Sequence, residues 1–224
     1  PDMPMWMVFN INGTNNFLLT GVSSITSING KIALGNTGSY ARLMLVDFLA
    51  EESYWITSSS VTVKHQGIAN RNSTTSNVNS SNYGTIVHAT VNDVAMTVLP
   101  NAPIDAATGL PVPTIAVATN GGVSVIKDDG TVVDITFSTG GYTSLKTISF
   151  AYNNWISVGH SDPRAVKTFP IPASDKVYSY WMYNVGVHCY YESKDFGGGY
   201  GTQAFLQADS AFPKVIGGRA IGTN

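Results

Sequence analysis

Residues 113–136 read PTIAVATNGGVSVIKDDGTVVDIT and contain three short runs rich in Val, Ile, Ala and Thr. Two turns separate the runs, one over residues 120–122 (NGG) and one over residues 128–130 (DDG). Asn, Asp and Gly adopt the positive φ angles of tight hairpins, and β-branched runs of this length are typical of strands. The stretch therefore predicts a three-stranded antiparallel meander and an all-β fold.

The first strand of this meander recurs in the chain. The segments NGKIALG (29–35) and NNWISVG (153–159) place Ile32 and Ile156 where the meander has Ile115. Ile115 and Ile156 are 41 residues apart, and Ile32 and Ile115 are 83 apart, about twice that spacing. Short strands with a period of about 40 residues are typical of β-propeller blades. The sequence predicts a β-propeller-like repeat of about 40-residue antiparallel blades, either incomplete or a fragment.

The domain organisation follows from this repeat. We predict an N-terminal strand segment over residues 1–21 and a β-propeller-like domain over residues 22–224. Residues 56–84 are predicted to be a polar insertion, since their Ser, Thr and Asn side chains bury little apolar surface. Residues 100–113 are rich in Pro and are predicted to be a connection, because Pro donates no hydrogen bond to a sheet. Residues 178–191 hold six aromatic residues and are predicted to form a buried fourth strand and the next turn.

Composition excludes several classes of function. Only 12% of the residues are charged and the net charge is −2, so no basic surface for nucleic acid is expected. The single cysteine, Cys189, excludes an internal disulfide framework and a multi-cysteine zinc site. We find no apolar run of 18 residues and therefore predict no membrane span. We expect no cofactor and no metal, and the start of the chain lacks the pattern of a signal peptide.

Catalytic motifs are weak. Gly159-His160-Ser161-Asp162-Pro163 brings together the residue types of a hydrolase triad, but these act when brought together in space and usually lie far apart in sequence. His188 and Cys189 are adjacent, so on a strand they point to opposite faces and cannot readily share a metal. We therefore predict that the chain is not an enzyme.

The remaining motifs also have simpler structural explanations. Asp128-Asp129-Gly130 lacks the full acidic spacing of a calcium loop, and a hairpin turn is preferred. Residues 199–204 (GYGTQA) match a loose dinucleotide pattern outside any βαβ unit. Paired carboxylates of a glycosidase would have to come from a set that nothing in the sequence brings together, namely Asp162, Asp175, Glu192 and Asp195.

Aromatic residues near glycines form the best candidate binding site. Flat aromatic faces stack on sugar rings, although alternate members of such a group also fill the space between sheets. The candidates for glycan contact are Trp181, Tyr183, Tyr191 and Tyr200, and Tyr200 is the strongest because it lies in a glycine-rich loop.

Several stretches resemble propeller-like segments of large tail and fibre virion proteins of tailed bacteriophages, particularly marine ones. They are residues 100–136, Val46-Asp47-Phe48 and residues 67–72 (GIANRN), and the similarity extends over about residues 22–224. The resemblance implies a propeller within a longer tail or fibre protein, assembled in the host cytoplasm and located in the virion. It carries over no catalytic residue.

From this resemblance and the lack of an active site we expect a non-enzymatic virion structural protein. Its expected partners are other virion proteins and copies of itself, because unpaired strand edges favour association. Two alternatives remain open: a glycan- or receptor-binding module of the tail that contacts a bacterial surface glycan, and a polysaccharide depolymerase.

Overall fold

A computed structural model describes residues 21–66, 83–106, 108–138, 143–151, 154–160, 165–178, 188–191, 206–208 and 213–215. Over these residues the protein consists of β-strands and their connections, with no α-helix. The prediction of an all-β protein is therefore confirmed. No helix in the described part is long and apolar enough to cross a membrane. Residues 1–20, which carry almost all of the predicted N-terminal segment, lie outside the described residues.

The strands of the described residues run in chain order from β1 to β16. They are β1 Val22–Ile28, β2 Lys31–Asn36, β3 Arg42–Asp47, β4 Glu52–Ile56, β5 Val61–Gln66, β6 Val91–Thr97, β7 Thr114–Thr119, β8 Gly122–Ile126, β9 Val132–Phe137, β10 Leu145–Ala151, β11 Trp155–His160, β12 Ala165–Pro170, β13 Lys176–Tyr178, β14 His188–Tyr191, β15 Leu206–Ala208 and β16 Pro213–Val215.

These strands form three larger sheets and one hairpin. Sheet 1 has the order β1-β2-β3-β4-β5, sheet 2 the order β13-β9-β8-β7-β6, and sheet 3 the order β10-β11-β12-β14. All neighbours pair antiparallel except β13, which pairs parallel with β9. The hairpin β15-β16 stands apart in pairing, with β15 beside β10. Each sheet of the described residues has two edges, and no closed barrel or closed propeller is seen among them.

The three sheets share one register. Ile32, Ile115 and Ile156 lie in β2, β7 and β11, the second strand of each sheet. Each first strand carries a bulge at the same place, between Val22 and Ser24 in β1, Val91 and Asp93 in β6, and Leu145 and Thr147 in β10. Residues at the same pairing position in two sheets are therefore called equivalent.

The spacing between the repeats differs from the simple period. Sheets 1 and 2 are neighbours, so the 83 residues from Ile32 to Ile115 correspond to one repeat rather than two. The added length includes β5, residues 67–82 and the connection over residues 98–113. Residues 61–66 of the predicted insertion thus form an edge strand, because Val61 and Val63 alternate towards the core of sheet 1.

The fourth strand of sheet 3 also differs from expectation. Residues 48–54 and 171–178 are similar in sequence, yet β4 stays in its own sheet whereas β13 pairs with β9 of sheet 2. The outer strand of sheet 3 is instead β14. The predicted strand over residues 178–191 therefore begins in one sheet and ends in another, and residues 179–187 lie outside the described part.

The sheets stack face to face around two hydrophobic clusters. The back face of sheet 1 packs on the front face of sheet 2, which consists of Ile115, Val117 and Ile126 together with Val91 and Val94. The back face of sheet 2 packs in the same way on Ile156, Val158 and Phe169 of sheet 3. Because equivalent residues face forward in each sheet, the stacking repeats like steps in one direction.

The front face of sheet 1 holds a third cluster of Leu34, Met44 and Val46. At its edge the Arg42 guanidinium lies 3.9 Å from the centroid of the Trp55 ring. Burial lowers the pKa of Arg42, a shift that the coulombic interaction with Tyr40 partly opposes.

Candidate functional site

The inner strands β1, β6 and β10 lie side by side, and polar side chains at their bulges link the sheets. We call these links the inner junctions. Each first strand begins with an apolar residue, two polar residues and a second apolar residue: Val-Ser-Ser-Ile at 22–25, Val-Asn-Asp-Val at 91–94 and Leu-Lys-Thr-Ile at 145–148. The bulge turns the polar pair towards the neighbouring sheet while the apolar residues of β6 and β10 stay in the core.

At the junction between sheets 1 and 2, the bulge residue Ser23 donates from Oγ to the backbone oxygen of Val91 over 2.7 Å. The next residue, Ser24, donates from Oγ to Oδ1 of Asp93 over 2.6 Å. The backbone N–H of Val94 in turn points to Oγ of Ser24 at 3.4 Å. Two serines thus hold the first strand of sheet 1 against that of sheet 2.

The junction between sheets 2 and 3 repeats this arrangement with other side chains. Asn92, the bulge residue, donates from Nδ2 to the backbone oxygen of Leu145 over 2.7 Å. The backbone N–H of Ile148 donates to Oδ2 of Asp93 over 2.8 Å. Leu145 and Ile148 are equivalent to Val91 and Val94, so the same two backbone positions receive the contact in both junctions.

Asp93 therefore joins all three sheets. Its Oδ1 accepts hydrogen bonds from Ser24 and from the backbone N–H of Val94, and its Oδ2 accepts one from Ile148. Both carboxylate oxygens are occupied by donors from two neighbouring elements and its own strand. A carboxylate with this set of partners positions strands and has little freedom to move a proton.

The Asn120 side chain supports the second junction. Its Oδ1 accepts hydrogen bonds from Asn92 Nδ2 over 2.9 Å and from Ser144 Oγ over 2.8 Å. Thr143 Oγ1 donates to the Asn120 backbone oxygen over 2.8 Å. The turn that follows β7 is thereby attached to the start of β10.

A small cleft opens at the other end of sheets 1 and 2. Its volume is about 170 Å³, and its lining includes Lys31, Tyr83, Ile115, Asp128, Asp129 and Gly130. Ligand pockets commonly have volumes of about 300–1,000 Å³, so this cleft holds at most a very small molecule.

The polar groups of the cleft are already engaged. Lys31 forms an ion pair with Asp47, whose Oδ1 also accepts hydrogen bonds from the backbone of Leu49 and Ala50. Burial, and then the charges of Asp47 and Glu52, raises the pKa of Tyr83 and keeps its phenol neutral. These contacts favour a structural role for the cleft.

The turn over residues 128–130 also faces the cleft, and it is a hairpin turn as predicted. Asp129 accepts hydrogen bonds from the Thr131 hydroxyl and backbone N–H, and these two bonds lower the pKa of Asp129. Among the described residues no group of three or more His, Cys, Asp or Glu side chains could hold a metal ion.

The predicted triad motif is only partly visible. His160 ends β11 and is 1% exposed, whereas Ser161 and Asp162 lie outside the described residues. His188 and Cys189 are in β14, where the backbone alone is described. The structure therefore brings no nucleophile to His160 in its described part.

Most other predicted candidates fall outside the described residues. This applies to Trp181, Tyr183 and Tyr200, to Glu192 and Asp195, and to residues 199–204. Tyr191 is the last residue of β14, with its backbone alone described. Asp175 accepts a hydrogen bond from the backbone of Asp134 at the edge of sheet 2. The glycan-contact residues thus stay a prediction.

Sequence reasoning missed Ser23, Ser24, Asn92 and Asp93. Their signal is present, since two polar residues interrupt the apolar start of each first strand at the same distance before the Ile-centred segment in sheets 1 and 3. In sheet 2 the long connection after β6 hides that distance. An alignment of the three strand starts would have shown the pattern.

Comparison with known proteins gives no family. No family model matches the chain, and no curated protein matches it. Among solved structures, it is similar to the crystal structure of the computationally designed Ika8 protein, with 13% sequence identity and a TM-score of 0.31. The match covers 69% of this chain and 47% of that one, so the chain spans about half the length of the structure it matches.

Proposed function

We propose that this chain is a non-enzymatic structural module, a β-propeller-like stack of blades that serves protein–protein contacts in a larger assembly. The observation that supports this most is the repeated inner junction. The same two backbone positions receive hydrogen bonds from the preceding sheet in both junctions, at Val91 and Val94 and again at Leu145 and Ile148. A repeat of this kind fits radial blades around a common axis.

The polar residues of the described part support a mechanical role. Asp93, Asn92 and Asn120 use their side chains to link sheets, and Asp47 holds Lys31 and a turn. An acid or base needs a pKa matched to its task and a free position for a substrate. These groups instead have their hydrogen-bonding capacity directed inward.

The setting that we propose is the tail or fibre of a bacteriophage virion. Its support is the likeness of residues 100–136 to propeller-like segments of such proteins. A chain with only 12% charged residues also suits dense packing among neighbours, because few charges must be desolvated when surfaces meet.

An electron cryomicroscopy map of the assembled particle tests this proposal. We expect density for successive face-to-face sheets within a tail or fibre, in contact with other structural proteins. The purified chain should release no reducing ends from host polysaccharide. A particle that carries the chain on no tail structure, or reproducible polysaccharide cleavage that a catalytic substitution abolishes, would contradict it.

A further inference from the structure

The first strand of sheet 1 exposes two apolar residues that are buried at the equivalent positions of the next two sheets. Val22 is 45% exposed and Ile25 is 63% exposed. Their equivalents are Val91 at 0% and Val94 at 5% in β6, and Leu145 at 0% and Ile148 at 3% in β10. In β6 and β10 a preceding first strand covers these side chains, and β1 is the first of the row.

The same comparison identifies two backbone groups on β1. In both junctions the preceding sheet's bulge side chain donates to the carbonyl at the Val91 or Leu145 position. The following polar residue accepts from the N–H at the Val94 or Ile148 position. The equivalent groups of sheet 1 are the Val22 carbonyl and the Ile25 N–H. The strand therefore presents an apolar pair together with a matched acceptor and donor.

We propose that this β1 face, defined as Val22 and Ile25 with those two backbone groups, binds the far end of the same stack in a second copy of the chain. β15 lies beside β10, as β10 lies beside β6 and β6 beside β1, so β15 is the far end of the row of first strands. Such an end is shaped to precede another first strand. The contact is head-to-tail, and it rests on the blade architecture of the proposed function.

The contact is confined to the inner strand. On the same side of sheet 1, Leu34 is 7% exposed and Met44 is 0% exposed, so these residues add little to an interface. Small interfaces bind weakly. We therefore expect association that rises with protein concentration, giving short open chains or a small ring according to the rotation at each contact.

Sedimentation velocity of the purified chain with Ile25→Lys tests the proposal. A lysine on an edge strand blocks pairing, and Ile25 is exposed, so the variant should fold as the original does. The matched control is Val177→Lys in β13, since Val177 is 64% exposed and lies at the opposite edge of sheet 2. We expect the original chain and V177K to associate to the same extent, and I25K to remain monomeric with an unchanged thermal midpoint.

Val22→Ser serves as a second variant if I25K lowers the thermal midpoint, and it should weaken association at least severalfold. A mixture then tests the direction of the contact. Fluorescent I25K added to the original chain should bind it, because I25K keeps an intact far end while the original supplies an intact β1 face. Under a symmetric contact between two β1 faces, I25K would bind no partner.

Three results would overturn the inference: a monomeric original chain at its highest soluble concentration, equal loss of association in V177K, or no binding of I25K to the original chain. None of them touches the proposed function. A monomeric chain can still be a blade stack within a particle, and the particle map decides that question separately.

Discussion

The two inner junctions differ in their side chains and agree in their geometry. Hydroxyl groups of Ser23 and Ser24 link sheets 1 and 2, whereas the amide of Asn92 and the carboxylate of Asp93 link sheets 2 and 3. The backbone positions that receive these contacts are equivalent in both cases. The bulge, rather than a particular residue type, therefore sets the distance between neighbouring first strands.

The apolar side of the comparison shows how volume is redistributed. Sheet 1 presents Leu45 to sheet 2, while sheet 2 presents the smaller Val125 at the equivalent position to sheet 3. Sheet 3 answers with Phe169, where sheet 2 has the smaller Ile126. A larger front residue fills the space that a smaller back residue leaves, so both interfaces are packed at similar spacing.

The largest expected effect comes from Phe169→Ala. Phe169 is 0% exposed, and its ring meets Phe137 edge-on at a centroid distance of 6.4 Å and Tyr178 at 5.5 Å. We expect a loss of about 3–5 kcal/mol in the free energy of unfolding, measured by urea titration. Phe169→Leu should lose clearly less. Equal losses in the two variants would show that the ring does not fill the second interface as described.

Asp93→Ala should have the next largest effect, because it leaves the Ile148 N–H and the Ser24 hydroxyl without their acceptor. We expect a loss of about 3 kcal/mol in the free energy of unfolding. Ser24→Ala affects one junction only and should cost about 1 kcal/mol. In a double-mutant cycle the two losses should not add, and additive losses would separate the two residues energetically.

Gly35→Ala sharpens the comparison between junctions, since the equivalent residue of sheet 2 is Ala118. A Cβ on Gly35 would lie 2.7 Å from Val91 Cγ1 and 2.8 Å from Ser23 Oγ. We expect a loss of about 1–2 kcal/mol in unfolding free energy from crowding at the first junction. The loss should shrink in a Val91→Ala background, and an undiminished loss would place the strain elsewhere.

The smallest expected effect is a pH dependence at Asp134. Burial raises the pKa of Asp134, with a further rise from Asp175 and an opposing effect of the Ser124 hydrogen bond. The folded chain then binds more protons than the unfolded chain between the unfolded and folded pKa values, so this residue's contribution to stability falls as pH rises through that window. Asp134→Asn should therefore gain stability relative to the original at pH 7 compared with pH 3, by less than about 0.5 kcal/mol.

The matched control for that experiment is Asp129→Asn. Hydrogen bonds from Thr131 lower the pKa of Asp129, so its contribution to stability is present at neutral pH and is lost as pH falls through the folded pKa. Urea titrations at the two pH values should give shifts of opposite sign for the two variants. Shifts of the same sign would contradict the assigned causes.

Local structure was largely predictable from the sequence. Asn29 and Gly30, with φ angles of 47° and 74°, form the predicted hairpin turn between β1 and β2. Strands β9 and β10 have the predicted bounds, Val132–Phe137 and Leu145–Ala151. Turn residues and β-branched runs act over a few neighbouring residues, so their effect can be read without knowing the rest of the chain.

The sequence alone determined an all-β chain with a repeated Ile-centred strand, because side-chain alternation and turn chemistry are local properties. Only the tertiary structure decided that β13 joins sheet 2, that one repeat takes 83 residues and the next 41, and that Asp93 links three sheets. These outcomes depend on which distant strands meet. Such pairing is governed by burial of whole sheet faces and by hydrogen bonds between residues far apart in sequence, such as Ser24 and Asp93.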